Sequence, residues 1–167
     1  HAVTCTMTSG STVTNVADSP VANTISTYTI MNGSTNVTAN YSVTTATGTL
    51  TITKADATNE VILSGTVTWG RTLSTEISTN SNGARSYQWY YNANNNTTGG
   101  TAIPGATSAT YTISSNYVGK YIYVKTSVAE AANYKAAPDA YAITATKVAK
   151  KTPSVTPEIT GTVKWGE

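Results

Sequence analysis

Runs in which threonine alternates with an apolar residue recur along this chain. The stretch "AVTCTMT" places Val3, Cys5 and Met7 on one face, and "GTLTITK" does the same with Leu50 and Ile52. Successive side chains point to opposite faces in a β-strand, so this period of two predicts half-buried strands and argues against amphipathic helices. Threonine fills 35 of the 167 positions, and this β-branched residue fits a pleated, partly solvated surface.

The second half of the chain continues the strand pattern. Strands are predicted at "SYQWYYN", "SATYTIS", "GKYIYVKTSV" and "AYAITATKVA", with turn-forming residues between them. In the third of these, either Tyr121 and Tyr123 or Ile122 and Val124 point inward, and we favour Ile122 and Val124 after a bulge. The stretch "AEAANYKAA" (129–137) fits either a short helix or a long hairpin loop, and we favour the loop because nine residues make a marginal helix.

Charge is sparse and dispersed along the chain. Lys, Arg, Asp and Glu make up 11% of the residues, the net charge is +2, and the basic residues are scattered apart from Lys150-Lys151. Phosphate binding requires a basic patch, so we expect no nucleic-acid partner. No window approaches the roughly 20 apolar residues that span a bilayer, so we expect no membrane insertion in this segment.

No arrangement of side chains points to catalysis. His1 and Cys5 lie about 13 Å apart along a strand, too far for a nucleophile and its base, and we expect Cys5 to be a small buried residue. The acidic residues never form a close pair in sequence, and one His and one Cys give no metal-ligand spacing. We therefore predict that the protein is not an enzyme and has no catalytic, metal-binding or cofactor-binding residues.

One phrase occurs twice in the chain. "GTVTWG" begins at Gly65 and "GTVKWG" begins at Gly161, an offset of 96 residues that is close to the length of one β-sandwich domain. Tandem repetition explains this offset better than chance does, because tryptophan is rare in the chain. Residues 55–150 are then one complete module, and residues 151–167 are a linker and the first strand of a following repeat.

The stretch "GTVTWGRTLS…YQWYYN…IPGATSATYTISSNYVGKYIYVKTSV" resembles the immunoglobulin-like repeats of large bacterial surface proteins. The resemblance covers about residues 60 to 148 and implies a β-sandwich with Trp89, on the third strand, at its centre. No Cys stands on the second or sixth strand. The core is therefore expected to close on Trp89 without a disulfide.

Residues 1–54 resemble a different module, the MBG-type β-rich repeat of Gram-positive surface proteins, through the closing tract "NYSVTTATGTLTITKA". The resemblance implies another strand before His1, so we expect the chain to begin inside one module and end inside another. The predicted fold class is all-β, with an immunoglobulin-like β-sandwich preceded by a smaller, N-terminally incomplete β-rich module.

Tandem β-modules without catalytic chemistry predict a structural spacer in a bacterial cell-surface adhesin or extracellular fibre, located at the cell wall or cell surface. Two other functions stay open: a glycan-binding adhesion module and a non-catalytic accessory domain of a secreted hydrolase. Tyr90 is the candidate glycan contact, because it faces away from Trp89. Lys125, if it points inward, is the candidate for an isopeptide crosslink of the kind found in Gram-positive surface domains.

The expected partners follow from these modules. They are the neighbouring domains of the same chain, another copy through strand pairing, and a host glycan or host protein. Strand pairing is expected at "AVTCTMT", whose edge opens if a leading strand is missing, or at "EITGTVKW" near the end of the chain. No cofactor is expected.

Overall fold

The computed structural model describes residues 1–155, 157–158 and 161. Within this part the protein is all-β, as the sequence predicts, and no α-helix occurs. The strands are Ala2–Met7 (β1), Val21–Asn23 (β2), Ile25–Asn32 (β3), Thr35–Asn36 (β4), Gly48–Leu50 (β5), Glu60–Ser64 (β6), Thr72–Ser78 (β7), Arg85–Asn92 (β8), Thr101–Ala102 (β9), Thr110–Thr112 (β10), Tyr121–Val128 (β11) and Ala140–Ile143 (β12). Short 3₁₀ turns lie at Val16–Asp18, Thr38–Asn40 and Ser115–Tyr117.

The strands form four sheets, with the orders β1-β3-β4, β2-β5, β10-β7-β6 and β12-β11-β8-β9. β1 runs antiparallel to β3, with Ala2 opposite Met31 and Met7 opposite Ile25. β2 is antiparallel to β5, β10 to β7, and β9 to β8. Antiparallel sheets can pack one face on a core and leave the other in water, which suits the alternation of apolar residues with threonine.

The chain divides into two compact units. Unit 1 comprises His1–Glu60, Ser78–Ser86 and Thr126–Ala140, and unit 2 comprises Val61–Ile77, Tyr87–Lys125 and the described residues from Tyr141 onward. The predicted boundary between residues 54 and 55 lies inside unit 1. The modules 1–54 and 55–150 are therefore not the same ranges as these units, and they stay a prediction.

The predicted first strand of a following repeat cannot be compared with the structure. Within 151–167, residues 156, 159, 160 and 162–167 lie outside the described residues. The pairing segment "EITGTVKW" falls almost entirely on them. Both interpretations of this end of the chain stay predictions.

Unit 2 holds a hydrophobic core that is centred on Trp89. Leu73 in β7, Trp89 in β8, and Ile122 and Val124 in β11 have no exposed surface and belong to one cluster. β7 and β8 lie in different sheets, so this core is packed between two sheets, as in a β-sandwich. The indole Nε1 of Trp89 donates a hydrogen bond to the Ser108 carbonyl at 2.8 Å. The prediction that the core closes on Trp89 is confirmed.

The sequence left two interpretations of β11, and the structure decides between them. Ile122 and Val124 point into the core, as we favoured. Tyr123, on the other face, is also only 3% exposed. Both faces of this part of β11 are covered, and for this reason the alternation of apolar residues could not distinguish them.

β1 is a strand, as predicted, but the prediction that one of its faces is buried is wrong. Every residue of β1 is exposed, including Val3 (64%), Cys5 and Met7 (40%). β1 lies at the edge of the sheet β1-β3-β4, and no described element covers its faces. Alternation shows which side chains share a face, whereas burial of that face depends on the rest of the fold. Leu50 and Ile52 are half-buried, as predicted, but the strand predicted over "GTLTITK" ends at Leu50 and does not include Ile52.

The segment from Ala129 to Ala137 is a loop, the interpretation that we favoured. It belongs to the connection between β11 and β12, residues 129–139, which contains no helix. Ala131 and Tyr134 exchange backbone hydrogen bonds of 3.0 and 3.4 Å across a turn. Other polar groups of this β11–β12 connection bond to residues 15, 16 and 54–56 of the same unit.

Candidate functional site

Tyr90, the candidate glycan contact, is half-buried on the face of β8 opposite to Trp89. Its ring lies flat against Tyr123 of the neighbouring strand β11, with centroids 4.8 Å apart and planes inclined by 3°. One face of the Tyr90 ring is therefore covered by protein. The geometry gives Tyr90 a packing role, and its role as a glycan contact stays a prediction.

Tyr123 is the residue of this tyrosine pair that the sequence did not single out. A Cβ atom built on Gly100 would lie 2.5 Å from Cε1 of Tyr123, so the bare backbone of Gly100 packs against the ring. The Tyr123 hydroxyl is hydrogen-bonded to that backbone. Burial raises the pKa of Tyr123, and the nearness of Tyr90 and Tyr141 raises it further, while the bond to Gly100 acts in the opposite direction.

The loop that carries Gly100, residues 92–100, is organised by the buried side chain of Asn92. Its Nδ2 donates to Asn96 Oδ1 at 2.8 Å and to the Thr98 carbonyl at 3.0 Å, and its Oδ1 accepts from the Asn94 amide at 3.1 Å. A buried amide is stable when its donors and its acceptor are satisfied, and these bonds satisfy both. The sequence predicted turns here but could not distinguish Asn92 from the asparagines around it.

The raised pKa values of two tyrosines predict that the protein becomes less stable as the pH rises in the alkaline range. Burial raises the pKa of Tyr123 and of Tyr111 in the folded state, whereas a tyrosine in the unfolded chain titrates near its ordinary value of about 10. Between these values the unfolded chain has lost protons that the folded chain retains. We therefore expect the free energy of unfolding to fall as pH rises through this range.

Urea unfolding from about pH 8 to about pH 11 measures this slope. Tyr123→Phe removes one of the titrating hydroxyls and should make the slope shallower. Tyr41→Phe, the same change at a ring that is 46% exposed, is the matched control and should keep the slope of the parent chain. Equal slopes for the parent and Tyr123→Phe would contradict the assignment.

Lys125, the candidate for an isopeptide bond, is half-buried in β11. It stands between Val124 and Thr126, which are fully buried, and neighbouring strand residues point to opposite faces. Lys125 therefore faces away from the core cluster. Its crosslinking role stays a prediction, which an intact-mass measurement tests, because a Lys-Asn bond lowers the mass by one ammonia.

The two predicted modules join around residues 54–59, and this stretch together with Glu60, residues 54–60, is called the junction segment below. Its backbone is bonded at Ala55, whose amide donates to the Asn133 carbonyl and whose carbonyl accepts from the Lys135 amide, both at 2.9 Å. Ala55 also pairs with Tyr134 as a parallel β-bridge. These bonds fasten the start of the junction segment to the β11–β12 connection.

Two asparagine side chains fasten the rest of the junction segment. The side-chain Oδ1 of Asn80 accepts a hydrogen bond from the backbone amide of Thr58 at 2.9 Å. The backbone amide of Asn80 donates in return to Thr58 Oγ1 at 3.2 Å. Asn59 Nδ2 donates to the Thr126 carbonyl at 2.9 Å and to the Pro138 carbonyl at 3.1 Å. Ala57, directly before Thr58, is only 6% exposed.

Asn133 connects the junction segment to residues near the start of the chain. Its Oδ1 accepts a hydrogen bond from the Val16 amide at 3.0 Å, and its Nδ2 donates to Asn15 Oδ1 at 3.1 Å. Two ion pairs, Lys54 with Glu130 and Asp56 with Lys135, lie on either side of the contact between Ala55 and Asn133. Residues from the two predicted modules are therefore bonded to each other within unit 1.

Other features bear on the predicted chemistry. Within residues 1–155, 157–158 and 161, no group of three or more His, Cys, Asp and Glu side chains could hold a metal ion. The prediction that Cys5 is buried is wrong, because its thiol is exposed in β1. No helix in the described part of the chain has the length and apolar character needed to cross a membrane.

A scan of protein-family models and a search of curated proteins both found no match to this chain. The resemblances to immunoglobulin-like and MBG-type repeats therefore depend on the sequence stretches quoted above. Any function has to be argued from the residues themselves.

Proposed function

We propose that this chain is a structural spacer in a bacterial cell-surface adhesin or extracellular fibre protein, and that it is not an enzyme. The observation that carries the proposal is the bonded junction segment, residues 54–60. A spacer has to maintain a distance, and a freely flexible linker between its modules would defeat that purpose. Flexible linkers are rich in Gly and Ser, whereas the junction segment, "KADATNE", contains neither.

The bonds of the junction segment differ in strength. Its two ion pairs are partly or largely exposed, and exposed pairs contribute only about 0 to 1 kcal/mol. The net contribution of one hydrogen bond to stability is about 0.5 to 1.5 kcal/mol, and the asparagine side chains make several such bonds. The side chains of Asn59 and Asn80, together with the backbone bonds of Ala55, therefore fix the segment more than its charges do. Added salt should therefore change the rigidity of the junction segment little.

Asn133→Ala should lower the free energy of unfolding by about 1 to 2 kcal/mol, because it removes the two side-chain bonds to residues 15 and 16. Urea unfolding measures the loss. Asn95→Ala, in the exposed part of the 92–100 loop, is the matched control and should change stability by less than about 0.5 kcal/mol. Equal losses in the two variants would contradict the role of Asn133.

The rigidity of the junction segment can be measured directly. We expect backbone NMR order parameters of about 0.85 for residues 54–60, the value of a rigid backbone. Asn80→Ala, which removes the bond from the Thr58 amide to Asn80 Oδ1, should lower them at residues 57 and 58. Values below about 0.6 in the parent chain would mean that the segment is flexible and would remove the main support for the spacer.

The spacer function itself is tested by exchange in the intact surface protein. Replacing this segment with an unrelated rigid β-domain of similar length should retain adhesion, and deleting it should reduce adhesion. If the replacement is as defective as the deletion, the segment supplies something more specific than length, and the spacer proposal fails. Antibody labelling of intact cells tests the surface location.

A further inference from the structure

Unit 2 contains a cleft of about 570 Å³ that is lined by two tyrosine rings and a lysine. The residues that matter for its chemistry are Tyr91, Thr101, Pro104, Asn116, Tyr117 and Lys120. Pockets that bind small ligands have volumes of about 300 to 1,000 Å³ and combine apolar walls with a few polar groups. The cleft has both properties.

The aromatic wall of the cleft is held in place by the strands and turns around it. The rings of Tyr91 and Tyr117 are 4.8 Å apart and inclined by 34°. Tyr91 pairs with Thr101 across β8 and β9, and Tyr117 ends a 3₁₀ turn that is capped by the Ser114 side chain. A ligand would not need to order this wall, which lowers the entropy cost of binding.

A tight turn supplies another part of the lining. The amide of Ala106 donates to the Ile103 carbonyl at 3.2 Å, with Pro104 and Gly105 between them. Gly105 has a φ of 72°, as the third position of a type II turn requires. Pro104 therefore presents a rigid apolar surface to the cleft.

Lys120 gives the cleft its charge. Its backbone is fixed on both sides, since its amide donates to the Tyr117 carbonyl at 3.0 Å and its carbonyl accepts from the Val148 amide at 2.8 Å. The side chain is half-buried, no carboxylate lines the cleft, and the described residues give Lys120 no ion pair. A cation that is partly removed from water attracts an anion more strongly than it would in bulk solvent.

We propose that this cleft binds a saccharide that carries an anionic substituent. A pyranose ring packs its apolar face against the parts of Tyr91 and Tyr117 that line the cleft, because an aromatic side chain supplies apolar area next to a polar hydroxyl. Its carboxylate or sulfate pairs with Lys120. The Asn116 amide can donate to one sugar hydroxyl and accept from another. This binding function is separate from the spacer function and does not depend on it.

The test is an NMR titration of the full chain with three saccharides. An oligogalacturonate presents carboxylates, a chondroitin sulfate oligosaccharide presents sulfates as well, and maltohexaose is the neutral reference. We expect saturable shifts at the amides of Asn116, Tyr117 and Lys120, with an anionic saccharide bound at least about tenfold more tightly than maltohexaose. The tighter of the two anionic ligands identifies the preferred substituent.

Variants locate the site. Lys120→Gln should weaken binding of the anionic saccharide about tenfold, since a hydrogen bond to a charged group is among the stronger contacts. Asn116→Ala, at an exposed position, should weaken it less, and Lys147→Gln, beside the Tyr121 ring, should leave it unchanged. Binding of maltohexaose as tight as that of both anionic saccharides, equal loss in Lys120→Gln and Lys147→Gln, or no saturable shift would overturn the proposal.

Discussion

Trp89→Ala is expected to lower the free energy of unfolding by about 3 to 5 kcal/mol. Trp89 has no exposed surface, its ring packs 5.5 Å from that of Tyr111, and its Nε1 is bonded to the Ser108 carbonyl. Truncation removes these contacts and leaves a cavity in the core cluster. Small domains have a total stability of about 5 to 15 kcal/mol, so this one substitution should remove much of it.

Urea unfolding followed by far-ultraviolet circular dichroism measures this loss without relying on tryptophan fluorescence. The matched control is Trp69→Ala, at a side chain that is 37% exposed and lies beside Lys151. It should cost clearly less than Trp89→Ala, because more than a third of the Trp69 surface is already in water and its loss leaves no enclosed cavity in the core cluster. Similar losses at the two tryptophans would show that Trp89 is not the centre of the core.

Gly83→Ala should destabilise unit 1 by about 3 kcal/mol, the upper end of the usual cost of overpacking. A Cβ atom at Gly83 would lie 1.9 Å from the carbonyl oxygen of Ala129. That oxygen belongs to backbone that is itself held by a hydrogen bond from the Ala129 amide to the Ala84 carbonyl at 2.9 Å. The clash is therefore with backbone, and it cannot be relieved by rotating a side chain.

Gly48→Ala is the matched control for Gly83→Ala. Gly48 lies in β5, where an added Cβ would meet its nearest neighbours on Asn23 at 3.8 Å, an ordinary contact distance. We expect the change at Gly48 to be neutral within about 0.5 kcal/mol. Thermal unfolding of both variants measures the difference. A Gly83→Ala variant as stable as Gly48→Ala would mean that the two backbones do not approach this closely.

The strands could be predicted from the sequence because they depend on local pattern, and alternation placed β8 and β11. The central position of Trp89 was expected from the resemblance to immunoglobulin-like repeats. Burial could not be predicted in the same way. Val3 and Tyr123 both sit in alternating strands, yet one is 64% exposed and the other 3%, because distant segments cover one and leave the other open.

The residues that hold the junction segment were also beyond the reach of sequence patterns. Asn133 lies in a stretch that fitted a helix or a loop, and its partners at residues 15 and 16 are more than a hundred positions away. Nothing local distinguishes an asparagine that makes such bonds from one that forms a turn. The lining of the Tyr91 and Tyr117 cleft depends in the same way on strand pairing and on the turn at Pro104.

Unit 1 is assembled from three separate stretches of the chain, and this has a consequence for inheritance. A recombination event that exchanges residues 1–54 alone would replace Asn15 and Val16 but retain Asn133, and their hydrogen bonds would be lost unless the incoming sequence restored them. The exchangeable block that preserves these hydrogen bonds therefore includes both predicted modules, and we expect related genes to retain the two together.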